Sequence, residues 1–103
     1  MDFNQDEKDF FRELGLRLRK ARIERRETQE DLGARAGVSR QLLARMERGE
    51  SSVALGKWIR VSAVLGLLDT WKQALVIPPD PFAEYDKKQR QLTKLRKTRV
   101  RKR

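Results

Sequence analysis

A chain of 103 residues with 38% hydrophobic side chains can build one small core with residues to spare, and having no cysteine and no histidine it lacks disulfides, thiolate nucleophiles, imidazole bases and the commonest metal ligands. No stretch approaches the roughly eighteen apolar residues of a membrane span, and the acidic start Met1–Asp9 is unlike a secretory signal; the expectation is a cytoplasmic protein, not an enzyme, with no metal, no cofactor and no membrane partner. The net charge of +10 is concentrated: the 10 basic side chains of the segment Lys87–Arg103, which contains no acid, account for all of it and leave residues 1–86 neutral.

Phe10, Leu14, Leu18 and Ala21, with Phe11 and Ile23 beside them, recur at helical spacing and predict a first helix from about Asp6 to Arg26. Asp2, Asp6, Glu7 and Asp9 near its start and Arg22, Arg25 and Arg26 near its end suit the helix dipole. Thr28 is the N-cap of a second helix, with Asp31 three residues on in an approximate capping box, and Gly37 ends it. Ser39 caps a third helix that runs to about Arg48, where Gly49 closes it. Ser51 and Ser52 are expected to open a fourth, with Leu55, Ile59, Ser62, Ala63 and Gly66 spaced for burial and Trp58, Val61, Val64 and Leu65 adding bulk. A short fifth helix, capped by Asp69, carries Trp71, Leu75 and Val76, after which Pro78, Pro79 and Pro81 are expected to end regular structure. There is no strand signal and no internal repeat.

Beyond the prolines, Phe82, Tyr85, Leu92 and Leu95 fall near one face of a helix that could not hold itself together alone. The organisation expected is therefore all-α: a five-helix domain over residues 1–77 and, over residues 78–103, a proline-led basic tail that is disordered or conditionally helical.

The unit Gln29–Arg48, QEDLGARAGVSRQLLARMER, carries the functional signal. Two helices crossing steeply through a short turn need a very small residue at closest approach, which Gly33 supplies, and a positive φ in the turn, which Gly37 supplies. Leu32, Ala36, Val38, Leu43 and Met46 are apolar where the pair must face the rest of the domain. Ser39, Arg40, Gln41, Ala44, Arg45 and Arg48 remain on the outer face of the third helix, rich in the long donors and acceptors that reach base edges and phosphates. An ordinary helical hairpin with a solvated arginine face would explain one glycine; it does not explain the small residue, the turn glycine and five apolar positions agreeing over one unit.

The segment LRKARIERRETQEDLGARAGVSRQLLARMERGE resembles the Cro/cI-type (XRE) repressors over about Leu14 to Val76. The resemblance implies a five-helix all-α fold and operator binding as a dimer. It assigns Gln29 to a phosphate, Arg40 and Gln41 to the major groove, Arg45 to a further base or phosphate, and Arg22 with Glu47 to a partly buried structural ion pair. Two positions depart from the family. Glu27 stands where an apolar residue is usual, which is expected to loosen packing, and Leu42 stands where a small polar residue is commoner, leaving it to helix packing or to a thymine methyl.

One such domain reads one half-site, so the expected partners are double-stranded DNA with a palindromic operator and a second copy of the chain. Trp58, Leu67, Leu68 and Trp71 exceed what a small core needs and mark a dimer or partner surface, with core packing an equal alternative for Trp58. The run SSVALGKWIRVSAVLGLLDTWKQAL, followed by prolines and DPF, also resembles the HipB-like antitoxins, which implies a HipA-like kinase toxin as a partner. Three functions stay open here: an autonomous transcriptional repressor associated with the nucleoid, an antitoxin with autorepression attached, and an architectural or RNA-binding basic protein. For the tail, a non-specific phosphate clamp through Lys94, Arg96, Lys97, Arg99 and Arg101 ranks ahead of a partner-binding helix and of a merely solvated charge run.

Overall fold

The computed structural model describes residues 1–97, all of whose regular structure is helical. The order is α1 (Gln5–Glu24), α2 (Gln29–Ala36), α3 (Arg40–Glu47), α4 (Leu55–Val64), α5 (Leu68–Trp71) and α6 (Pro81–Lys97). The first three starts each have a local cause. Asn4 and Glu7 form a full capping box on α1: the Asn4 side chain accepts from the Glu7 amide at 2.8 Å, and the Asn4 amide donates to Glu7 Oε1 at 3.0 Å. Thr28 accepts from the Asp31 amide at 3.0 Å, and Ser39 accepts from the Leu42 amide, also at 3.0 Å.

Leu18, Leu32, Ala36, Leu43, Met46, Trp58, Val61 and Leu65 form the core, with Leu14, Ala21, Val38, Leu42, Val64 and Leu67 packed against it. Leu32, Leu43, Met46 and Val61 are fully buried, and each such side chain stabilises by about 1.5–3 kcal/mol relative to exposure. α2 and α3 thus lie with their apolar sides on α1 and α4, and their remaining side faces outward.

Three expectations are corrected. α4 begins at Leu55, after Ala54, which offers no side-chain cap; Ser51 and Ser52 belong to the preceding turn, where the Ser52 hydroxyl is taken by Arg45. With that later start, the buried face of α4 is Trp58, Val61, Ser62 and Leu65, while Leu55, Ala63 and Gly66 are exposed. α5 is a single turn that Asp69 does not cap; Asp69 pairs with Lys72 at 2.9 Å, and Leu75 and Val76 lie beyond the helix and exposed. Finally, the prolines do not end regular structure. Pro81 takes the first position of α6, where its missing N–H costs nothing, and Asp80 accepts from the Phe82 amide at 2.9 Å as an N-cap does. The residues of α6 from Pro81 to Arg96 are exposed, so this helix is formed but not packed into the core.

No helix among the described residues is long and apolar enough to cross a membrane.

Candidate nucleic-acid interface

The turn between α2 and α3 brings the two helices together at Gly33, where an added Cβ would stand 2.7 Å from the Val38 carbonyl oxygen. Gly37 carries φ of 70° and donates its amide to the Gly33 carbonyl, ending α2 in a left-handed cap that lets Ser39 begin α3 within two residues. The outward side of this pair is a shallow depression of about 350 Å³ lined by Gln29, Arg40, Gln41, Ala44, Arg45 and Arg48. Six of the seven positions singled out in the sequence therefore share one surface; Ser39, the seventh, is exposed at the mouth of α3 and spends its side chain on the cap.

A buried pair holds this surface in place. Arg22 on α1 donates from Nε to Glu47 Oε2 at 2.7 Å and from Nη2 to Glu47 Oε1 at 2.9 Å, with side chains only 11% and 4% exposed. Hydrogen bonding to Glu47 raises the Arg22 pKa above its ordinary value despite the opposing effect of burial. The third arm, Nη1, donates to the Glu27 carbonyl at 2.8 Å, and Gln29 Nε2 reaches Glu47 Oε1 at 3.3 Å. One guanidinium thus ties the end of α1, the entry to α2 and the end of α3 together.

Glu27 does not leave a gap. Its side chain pairs with Arg35, whose Nη2 also donates to the Val64 carbonyl at 3.2 Å, so a polar bridge to α4 stands where an apolar contact is usual in the family; the Glu27 Oε2 atom is buried without a hydrogen bond. Leu42 is partly buried against the core, in keeping with its use in helix packing. Trp58, half expected on a partner surface, is a core residue: it is buried at 9% exposure, its ring centroid 6.4 Å from that of Trp71. Trp71 and Leu67 are partly buried, the Trp71 indole donating to Ser62 Oγ at 2.8 Å, and only Leu68 stands out in solvent. In the tail, Lys94 and Arg96 are exposed on α6 and Lys97 is its last residue, while Arg99 and Arg101 lie outside the described residues.

Sequence reasoning missed Glu50 and Ser52. Arg45 Nε donates to Glu50 Oε2 at 2.6 Å and its Nη2 to Ser52 Oγ at 2.6 Å, while Arg48 Nη2 reaches Glu50 Oε1 at 3.3 Å. The hydrogen bond from Arg45, with help from Arg48, lowers the Glu50 carboxyl below its usual pKa, so the group stays anionic beside two cations of the interface. Glu50 lies three residues past the end of α3, within reach of the arginines of its last turn and of its cap.

Among the described residues no cluster of three or more carboxylates, histidines or cysteines could hold a metal. What the site offers instead is a helix that carries long donors on its outward side, which is the form of a helix-turn-helix DNA-binding unit. A family model described as helix-turn-helix matches residues 18–71, more than half of the chain, and the protein belongs to that Cro/cI-type (XRE) family of DNA-binding regulators. Neither the curated proteins nor the solved structures contain a match.

Proposed function

We propose that the protein is a dimeric transcriptional repressor that reads a palindromic operator with α3 in the major groove. The observation that carries this is the convergence of Gln29, Arg40, Gln41, Ala44, Arg45 and Arg48 on one outward depression of the helix-turn-helix. By side-chain chemistry Arg40 suits guanine O6 and N7, as does Arg45 once it leaves Glu50 and Ser52, while Gln41 suits adenine N6 and N7 and Gln29, at the first turn of α2, a phosphate. Its place is then the cytoplasmic nucleoid. The Arg22–Glu47 pair positions the reading surface and touches no base.

Substituting Arg40→Ala is expected to cost about 1–3 kcal/mol on the operator and to relax preference at one base pair, whereas Gln29→Ala weakens binding to all sequences alike. Gel-shift titration at fixed salt on operator and random duplexes checks both. Equal losses on the two duplexes for Arg40→Ala would remove Arg40 from base reading.

Much of the non-specific affinity is assigned to the tail, because residues 1–86 carry no net charge. Each phosphate neutralised adds about 0.9 to the slope of log affinity against log salt. Replacing Lys94, Arg96, Lys97, Arg99 and Arg101 with glutamine is therefore expected to flatten that slope by several units while leaving the preferred sequence unchanged. An unchanged slope rejects the clamp. The antitoxin reading, with a HipA-like kinase toxin restrained by this chain, rests on the resemblance of residues 51–75; a kinase-like neighbouring gene whose product co-purifies with the chain would favour it.

A further inference from the structure

Two surfaces are left without a partner within the chain, and their chemistry matches. The first is a groove of about 350 Å³ between α1, α4 and α5, whose apolar lining includes Phe10, Leu14, Trp58, Leu67, Trp71 and Ala74. Phe10, at its rim, is 50% exposed. Asp6 and Glu13 stand one turn before and after Phe10 on α1, and residues 1–13 hold five acids against two bases. The ion pairs of two of these acids are long and exposed, Asp9 with Arg12 at 3.9 Å and Glu13 with Arg17 at 3.8 Å, and worth little in water, although Asp9 also accepts from Gln5 Nε2 at 2.8 Å.

The second surface is one side of α6. Phe82, Tyr85, Leu92 and Leu95 are all half or more exposed, more apolar area than a solvated helix retains without use. Lys88 lies one turn after Tyr85 and one turn before Leu92, and Arg96 one turn after Leu92, so cations border the apolar side except at Asp86, one turn after Phe82. Arg17 is the one charged residue lining the groove, but the α1 segment beside it is net acidic, whereas α6 carries six bases against the two acids Glu84 and Asp86.

The two do not meet within one chain. No residue of α6 lines the groove and α6 is exposed from Pro81 to Arg96; the connection between them holds Leu75 in a left-handed conformation, φ of 62°, followed by Pro78 and Pro79. The chain extends over 65 × 37 × 25 Å with a radius of gyration of 21.4 Å, against about 13 Å for a compact domain of this length.

We propose that α6 of one copy docks in the α1–α4–α5 groove of a second copy, and reciprocally, giving a two-fold dimer held by exchanged arms. The exchange fills both grooves and closes the assembly at two chains. Three of the residues expected at a partner surface, Trp58, Leu67 and Trp71, act here as groove wall rather than as a protruding patch. The proposal specifies the dimer that the operator-reading function requires and rests on that reading for its purpose alone, since its test involves no DNA.

The test is sedimentation equilibrium of the full chain, with Phe10→Asp to spoil the groove and Leu92→Asp to spoil the arm. Both residues are half exposed in the single chain, and circular dichroism checks that each variant keeps its helices. The wild type is expected to be a dimer that weakens with salt, and each variant alone a monomer at concentrations where the wild type is paired, a shift of at least about tenfold in dissociation constant. Mixed, the two variants are expected to associate, because one supplies an intact arm and the other an intact groove; a Tyr85→Asp arm variant should behave as Leu92→Asp does. Arm-to-arm contact would leave Phe10→Asp dimeric, groove-to-groove contact would leave Leu92→Asp dimeric, and docking within one chain would give a compact wild-type monomer. Any of these, or variants that fail to complement, overturns the proposal.

Discussion

Replacing Arg22 with alanine is expected to cost about 3–5 kcal/mol of folding stability, a large share of the about 5–15 kcal/mol that holds a small domain folded. The reason is the carboxylate it leaves behind. Glu47 is 4% exposed, and once the guanidinium is gone its one remaining side-chain partner is the 3.3 Å contact from Gln29. The Glu27 carbonyl loses its donor at the same time. Replacing both members by apolar residues, Arg22→Met with Glu47→Leu, removes the stranded charge and should recover most of the loss, since a buried pair as a whole contributes little more than an apolar packing of the same volume. Urea denaturation followed by circular dichroism reads both values. A loss under about 1 kcal/mol for Arg22→Ala, or a double variant no more stable than the single one, would mean that the pair is solvated and that α3 is held by its apolar face alone.

The pair also shows where the sequence was legible. The starts of α2 and α3 and the turn between them could be read because local chemistry decides them: Thr28 and Ser39 cap the two helices, and only a residue such as Gly37 readily takes the φ of 70° that the turn needs. The outward surface was legible for a related reason. With Leu32, Leu43 and Met46 committed to the core, helical periodicity leaves Arg40, Gln41, Ala44, Arg45 and Arg48 on the other side. What misled was any choice that tertiary packing settles. Leu55 and Ala63 are apolar as Val61 is, and a shift of the buried side by one residue, set by where α1 and α2 lie, decides which are covered. The capping at Asp80 and Pro81 outweighed the expectation that three prolines end helical structure, because proline is harmful inside a helix but not at its first position. Glu50 was overlooked because its significance depends on two arginines that bend back from a helix already counted as free.

Gly15 escaped notice for the same reason, and it carries the second large effect. In a helix of 20 residues, exchanging an interior glycine for alanine ordinarily stabilises by about 1 kcal/mol. At Gly15 the sign is expected to reverse. Its added Cβ would stand 2.4 Å from the Glu47 carbonyl oxygen and 2.8 Å from that of Met46. Both are backbone atoms at the end of α3 that cannot rotate away, so α1 has to lift off α3 and stretch the Arg22–Glu47 bonds two turns further on. A loss of about 3 kcal/mol is expected for Gly15→Ala, the upper range for overpacking. Gly56, in the first turn of α4, is the control: nothing lies within 4 Å of its added Cβ, and Gly56→Ala should stabilise by up to about 1 kcal/mol. Thermal and urea unfolding of the two single variants gives the comparison. The same substitution with opposite signs is the signature of α1 and α3 in backbone contact; a neutral or stabilising Gly15→Ala would show that the helices stand further apart and that the recognition helix is not seated through Gly15.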